Sequence, residues 1–410
     1  MRVIISIHFF LCSSLVVSQH RHGSLLKKII EADTSAIIKT VLSDAGKYKL
    51  QIIYSQINWR NNCPRLSHYY YRHEPEEYFY PASMVKLPLA ALALEKVHMY
   101  KHLGVNKYSL LETNEHTRQA VSDSARYSSI AENIMYMLVV SDNAAYNRLF
   151  DFVGYEEANL RLYQKGYHDV RLVQRFSSSG NGYKITGPFK LRDSTGKILY
   201  EEPEHVSLKS VDPPLRKMEV GRAEKYGRKI IRKAKDFSSG NFIPLAALHN
   251  MLISIIYPSA VPSSQRFRLS ENDYDFLRQC LSIYPRETNM QAWKNDSLYY
   301  DNLRKYLLAG TQRTALDSNI RIFNKVGLAY GFVIDCAYIV DYKNETEFFL
   351  SAVIYVNENE ILNDGIYEYK TVGFPFMQRL GKILYEYELN RQREECPVLK
   401  KINYSSFRYK

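Results

Sequence analysis

The sequence predicts an α+β fold in two lobes, one an antiparallel sheet flanked by N- and C-terminal helices and the other all-helical, with a large insertion at about 177–240. Three observations predict it. The elements run helix, strands, many helices, three consecutive strands, helix, so the chain ends make the sheet lobe and the middle makes the helical lobe. The three late strands follow one another through short turns, which antiparallel pairing allows and parallel pairing does not. The composition is that of a globular chain, with 46% hydrophobic and 24% charged residues among 410. These values exclude a disordered chain, a coiled coil and a collagen-like fibre. The length fits one two-lobed domain over 19–410, enlarged by the insertion.

Residues 1–18 read as a secretory signal. Arg2 is a short positive region, Val3 to Val17 is mostly apolar, and Val16 and Ser18 are acceptable small residues before a cleavage site. The expected location is therefore secreted or periplasmic. No later stretch approaches the ~20 apolar residues of a membrane span. Beyond the signal, 24–46 has helical spacing of Leu25, Leu26, Ile29 and Ile30, and Lys49 to Ile57 and Tyr69 to Tyr71 look like strands. Helices are expected at 83–99, 128–140, 142–152, 155–165, 244–256, 271–283, 298–309 and 374–389. Strong β patterns cover 320–326, 331–342 and 346–356. Within the insertion, a hairpin from Tyr183 to Tyr200 is expected to turn at Asp193-Ser-Thr-Gly196.

The formal net charge is +12, and residues 216–235 carry nine Lys/Arg against two Glu. The excess is thus local. It reads as a solvated helix face suited to peripheral contact with an anionic envelope, and not as a nucleic-acid site. Cys63, Cys280, Cys336 and Cys396 have no metal-like spacing; they could form two disulfides in an oxidising compartment, though Cys336 sits in an apolar strand like a core residue. The 11 His show no ligand spacing, and the common phosphate, dinucleotide and zinc-hydrolase motifs are missing. No metal or cofactor is expected.

Three short motifs carry chemistry. Ser83-Met-Val-Lys86 opens an Ala/Leu-rich helix; the three-residue step puts both side chains on one face, and the helix N-terminus favours negative charge at Ser83. So apolar a helix is expected to be buried, and a buried Lys86 needs a reason. Ser141-Asp142-Asn143 precedes a helix and taken alone is a good cap. Lys325-Val326-Gly327 lies in a β stretch, where an inward Lys would offer a fixed positive charge to a carboxylate and depress a neighbouring lysine.

In this order, and with Ala82 to Pro88, Val140 to Asn147 and Asn324 to Ile339 around them, the motifs resemble those of the serine penicillin-recognising enzymes, most closely class A β-lactamase-like serine hydrolases. The resemblance covers about 45–175 and 300–390; 177–240 has no counterpart. It implies a β-lactamase/transpeptidase-like fold and roles residue by residue. Ser83 would be the acylated nucleophile and Lys86 its general base or proton relay. Ser141 would pass a proton to the leaving nitrogen. Asn143 would bind the substrate's side-chain amide and Lys325 its carboxylate, with Val326 and Gly327 beside it. The N–H groups of Ser83 and Leu328 would form the oxyanion hole. The substrate would be a small β-lactam or a peptidoglycan-like amide or ester.

Two departures matter. Val326 stands where the family usually has Thr or Ser, so that hydroxyl is missing. The loop glutamate that activates water for deacylation also has no match: Phe176-Ser-Ser-Ser-Gly180 holds no acid, and Glu386-Tyr-Glu-Leu-Asn390 fits the string but lies in the last helix. An acyl-enzyme should therefore persist. Two alternatives stay open: a DD-peptidase-like cell-wall enzyme, and a non-catalytic penicillin- or wall-binding domain.

Overall fold

Apolar strand patterns at both ends of the chain meet in one sheet, and that meeting brings the motifs together. A computed structural model describes residues 24–113, 128–176, 184–212, 215–290, 293, 298–313, 316–399 and 401–402. The proposed signal segment and Ser177–Gly182 lie outside the described residues.

The strands are β1 (Gln51–Arg60), β2 (Cys63–Tyr71), β3 (Ile320–Ala329), β4 (Phe332–Asp341) and β5 (Thr346–Tyr355), in the order β3-β4-β5-β1-β2 and antiparallel throughout. β4 and β5 are buried along their whole length, which explains why they read as unbroken apolar runs. β2 is an edge strand; its first half holds Pro64 and the exposed Arg65 and is only partly buried, so the sequence pattern reveals only its end at Tyr69 to Tyr71.

The helices are α1 (Ser24–Glu31), α2 (Ala36–Ser43), α3 (Lys86–Met99), α4 (Ile130–Val139), α5 (Asn143–Val153), α6 (Tyr155–Gln164), α7 (Leu245–Ile256), α8 (Glu271–Ser282) and α9 (Phe374–Asn390). α1, α2 and α9 cover one sheet face around Ile52, Tyr54, Ile339, Leu350 and Leu380. α7 packs on the other face and joins it to the helical lobe through a core including Ile53, Leu89, Leu252 and Phe349. α3 is buried from Lys86 through Val97, as expected of a helix apolar on all sides. Ser129 and Glu132 form a reciprocal capping box at the start of α4. Among the described residues no helix is long and apolar enough to cross a membrane.

The structure corrects three expectations. The basic run is not a helix face: Glu219–Val220 pairs with Lys235–Asp236, and Ala223–Tyr226 pairs with Lys229–Ile231. Gly227 turns the second hairpin at φ 60°, and Ile230 and Ile231 favour extended backbone. Residues 298–309 do not form a helix: one tight turn at Asp301–Arg304 is followed by irregular chain. There the buried Asp335 carboxylate accepts hydrogen bonds from the N–H groups of Tyr306 (3.0 Å) and Leu307 (2.9 Å), and Leu308 takes φ 69°. Those N–H groups are thereby withdrawn from helical bonding. Finally, Cys280, Cys336 and Cys396 are free thiols, so two disulfides do not form among the four.

The expected hairpin of the insertion is present as Phe189–Arg192 and Ile198–Glu202, and its first strand pairs with Leu110–Thr113. Asn241 ties the end of the insertion to the preceding loop, its Oδ1 accepting from the N–H groups of Val173 (2.6 Å) and Gln174 (2.9 Å).

A polar chain crosses the interface between sheet and α7. His249 is fully enclosed, with Nε2 2.7 Å from Ser55 Oγ and Nδ1 2.7 Å from Ser351 Oγ. Burial, assisted by the nearby His68, holds its pKa well below the ordinary 6.5. The unfolded chain takes a proton near pH 6.5 that the folded chain refuses, so this group favours folding above that pH and opposes it increasingly below. We expect urea unfolding free energy to fall as pH drops below about 6.5, and His249→Gln to remove up to ~1.4 kcal/mol per pH unit of that slope. An unchanged slope in the variant would contradict the assignment.

Candidate active site

Two loops and a strand meet around one lysine. Tyr80-Pro81-Ala82 enters a single 3₁₀ turn, Ala82–Val85, with Ala82 at φ 46°, and α3 begins at Lys86. The turn leaves Ser83 half-buried while its neighbours Ala82 and Met84 are buried. One helical step later, Lys86 is completely buried. Its Nζ lies 2.9 Å from Ser83 Oγ, 2.6 Å from the Ser141 carbonyl, 3.2 Å from Ser141 Oγ and 2.7 Å from Asn143 Oδ1.

The second loop is both a cap and part of the site. Asp142 is the N-cap of α5, its carboxylate accepting from the Ala145 N–H at 2.6 Å. Ser141, just before it, sits at φ 63°, a left-handed conformation uncommon outside glycine. That conformation turns the Ser141 carbonyl and hydroxyl together toward Lys86.

The third contribution comes from β3. Lys325 is 1% exposed and donates from Nζ to Ser141 Oγ and to the Val326 carbonyl, both at 3.0 Å. Ser141 Oγ therefore bridges the two lysines. Gly327 explains how β3 comes so close: a Cβ there would stand 2.8 Å from the Pro81 carbonyl oxygen and 3.1 Å from Met84 Cγ. Val326 packs in the core layer beneath the terminal helices, and its side chain does not line the cleft. Ser83, Asn143 and Leu328 do line it; the cleft measures about 710 Å³.

Burial drives the electrostatics. Desolvation brings the Lys86 pKa down to about 7, with Asp142 opposing and Arg304 reinforcing. Desolvation lowers Lys325 as well, helped by the positive charges of Lys86 and Arg304. The hydrogen-bond partners of Lys86 suit both of its forms: an ammonium would donate to Ser83 Oγ as well as to the other two acceptors, and a neutral amine can accept from the Ser83 hydroxyl. The Ser141 carbonyl and Asn143 Oδ1 can only accept. A neutral amine satisfies both with its two hydrogens and keeps a lone pair for the Ser83 hydroxyl proton.

Phe176 opens the stretch 176–180 where the resemblance expects a deacylating acid, and the rest of that stretch lies outside the described residues. Asn147 clamps its backbone, Nδ2 donating to the Phe176 carbonyl and Oδ1 accepting from its N–H, each at 2.8 Å. The ring centre lies 4.5 Å from Lys86 Nζ. No carboxylate lines the cleft among the described residues. The acids nearest in sequence are engaged elsewhere: Glu156 pairs with Lys209, and Glu157 with Arg161 and Lys96. Glu386 pairs with Arg379 on α9. Sequence reasoning did not find Arg304, which stood inside an expected helix. Nor did it find the aromatic wall of Tyr80, Tyr330, Tyr367 and Tyr369, because ordinary core tyrosines give the same signal.

A family model described as "Beta-lactamase enzyme family" matches residues 33–197, the span that contains Ser83, Lys86, Ser141 and Asn143. No curated protein matches the chain. Solved structures similar to it include a class A β-lactamase from Bacteroides cellulosilyticus DSM 14838, at 13% identity, covering 89% of this chain and 98% of that one, with a TM-score of 0.49. Others are L2 complexed with relebactam (14%, 88% and 98%, TM-score 0.48) and the TLA-3 extended-spectrum β-lactamase (13%, 87% and 100%, TM-score 0.47). The β-lactamase family match thus covers the first two motifs, and the chain's own architecture is helices packed on an antiparallel sheet.

Gly327→Ala should lower thermal stability, because the new methyl must displace backbone at Pro81; a cost of roughly 1–3 kcal/mol is expected. A melting temperature equal to wild type would show that β3 has room to move.

Proposed function

We propose that the chain is an exported serine hydrolase that forms an acyl-enzyme on Ser83 with β-lactams or related peptidoglycan-like amides and esters. The observation that carries this reading is the buried Lys86 held 2.9 Å from Ser83 Oγ at a pKa of about 7. A lysine in that state accepts a proton near neutrality, as a general base must.

In this reading the Ser83 oxygen attacks the carbonyl carbon and its proton moves to Lys86 Nζ. The developing oxyanion takes the N–H groups of Ser83 and Leu328, both of which line the cleft. The C–N bond then breaks, and the leaving nitrogen takes the Ser141 Oγ proton, which the protonated Lys86 replaces across 3.2 Å. Lys325, buried behind Ser141, attracts the substrate carboxylate through its charge, and that negative charge in turn favours the ammonium form that burial disfavours. Asn143 holds the side-chain amide. Val326 adds no hydroxyl to the carboxylate site.

Hydrolysis of the acyl-enzyme needs a base for water, and among the described residues no carboxylate lines the cleft, where the Phe176 ring stands over Lys86. The adduct is therefore long-lived. This favours slow turnover of β-lactams, and it equally suits a DD-peptidase-like enzyme whose natural acyl acceptor supplies its own nucleophile.

Intact-mass measurement over time after mixing with a penicillin tests the reading. We expect one adduct, absent in Ser83→Ala, that persists over many minutes. Phe176→Glu should shorten its life by at least about tenfold, within the usual range for a general base. No adduct on wild type would remove the acyl-enzyme reading.

A further inference from the structure

We propose that the hairpin Ala223–Ile231 is an arm that seats the protein on an anionic lipid bilayer. Surface apolar residues scattered singly are unremarkable, but here three crowd one short hairpin: Tyr226 is 75% exposed, Ile230 54% and Ile231 52%. Six basic residues and one acid lie between 222 and 233. The acid, Glu224, is already engaged, accepting from Lys235 Nζ at 2.6 Å and Asn363 Nδ2 at 2.7 Å. No ion pair among the described residues joins Lys225, Arg228, Lys229, Arg232 or Lys233 to a carboxylate.

Cross-strand pairing sets Tyr226 opposite Lys229 and Lys225 opposite Ile230. Apolar and cationic side chains thus share both faces, the pattern for tip-first entry among charged headgroups rather than for covering a groove. An anionic wall polymer would take the cations but would leave three large apolar side chains in water. The arm is fixed at its root. Ala223 is buried, its strand pairs in parallel with Ile361–Leu362, and a Cβ on Gly221 would lie 2.7 Å from the Glu360 carbonyl oxygen. Asn363, Gly365 and Tyr367, which follow that strand, form part of the cleft wall. Seating the arm therefore brings the mouth of the cleft to the lipid surface, and the surface stands whatever chemistry the cleft performs.

The test is sedimentation of the full chain with vesicles of phosphatidylcholine alone, and of phosphatidylcholine with about one-third phosphatidylglycerol. The chain should bind the anionic vesicles at least about tenfold better. Tyr226→Ser/Ile230→Ser/Ile231→Ser and, separately, Lys225→Glu/Arg228→Glu/Lys229→Glu should each cut that binding about tenfold or more. The second variant decides the matter if the first fails to fold. Failure to bind anionic vesicles, or wild-type binding by both variants, would overturn the proposal, as would binding to isolated anionic wall polymer with none to vesicles.

Discussion

Everything at the centre of this molecule depends on placing one lysine where a charged lysine is expensive. Taking an ammonium group out of water costs several kcal/mol even after relaxation. The fold offsets that cost with acceptors rather than with a carboxylate in contact. The Ser141 carbonyl and Asn143 Oδ1 meet Lys86 at 2.6 and 2.7 Å, and Asp142 acts only through space. A close carboxylate would have locked the lysine in its charged form. Amide and carbonyl oxygens instead stabilise the amine while leaving it able to exchange a proton.

Holding those acceptors in place explains several otherwise unrelated features. Ser141 bears a left-handed backbone, of the kind that persists only where surroundings over-determine it. Asp142 fixes that loop by capping α5. Gly327 lets β3 lie against the turn that carries Ser83, and so delivers Lys325 to the other side of Ser141. Behind β3 a second buried cluster fixes the strand from below. Lys305 Nζ donates to Asn324 Oδ1 at 2.6 Å, and Asn324 Nδ2 donates to Asp335 at 2.8 Å. Burial raises the Asp335 pKa to about 6 and lowers that of Lys305 to about 7, while each charge draws the other back toward its ionised form.

Much of this was legible in the sequence. The step from Ser83 to Lys86 needs only helical geometry, and long apolar strands announce their partners by periodicity. Where the sequence misled, a tertiary contact decided the outcome. Lys and Arg have good helix propensity, so the basic run looked helical until Gly227 and pairing with Ile361–Leu362 made it a hairpin. Residues 298–309 have a helical pattern, but a carboxylate from β4 captures their N–H groups. The clamp of Asn147 on Phe176 joins residues 29 positions apart, and nothing local signals it.

The central claim is that Lys86 is poised near neutrality, and its titration tests this most directly. The protein would be labelled with ¹³C at lysine Cε, the Lys86 signal assigned by its loss in Lys86→Arg, and its shift followed from about pH 5 to about pH 11. The account predicts a midpoint of about 7. A midpoint at the ordinary 10.5 would mean that Lys86 is a structural cation, and would contradict its role as the base for Ser83.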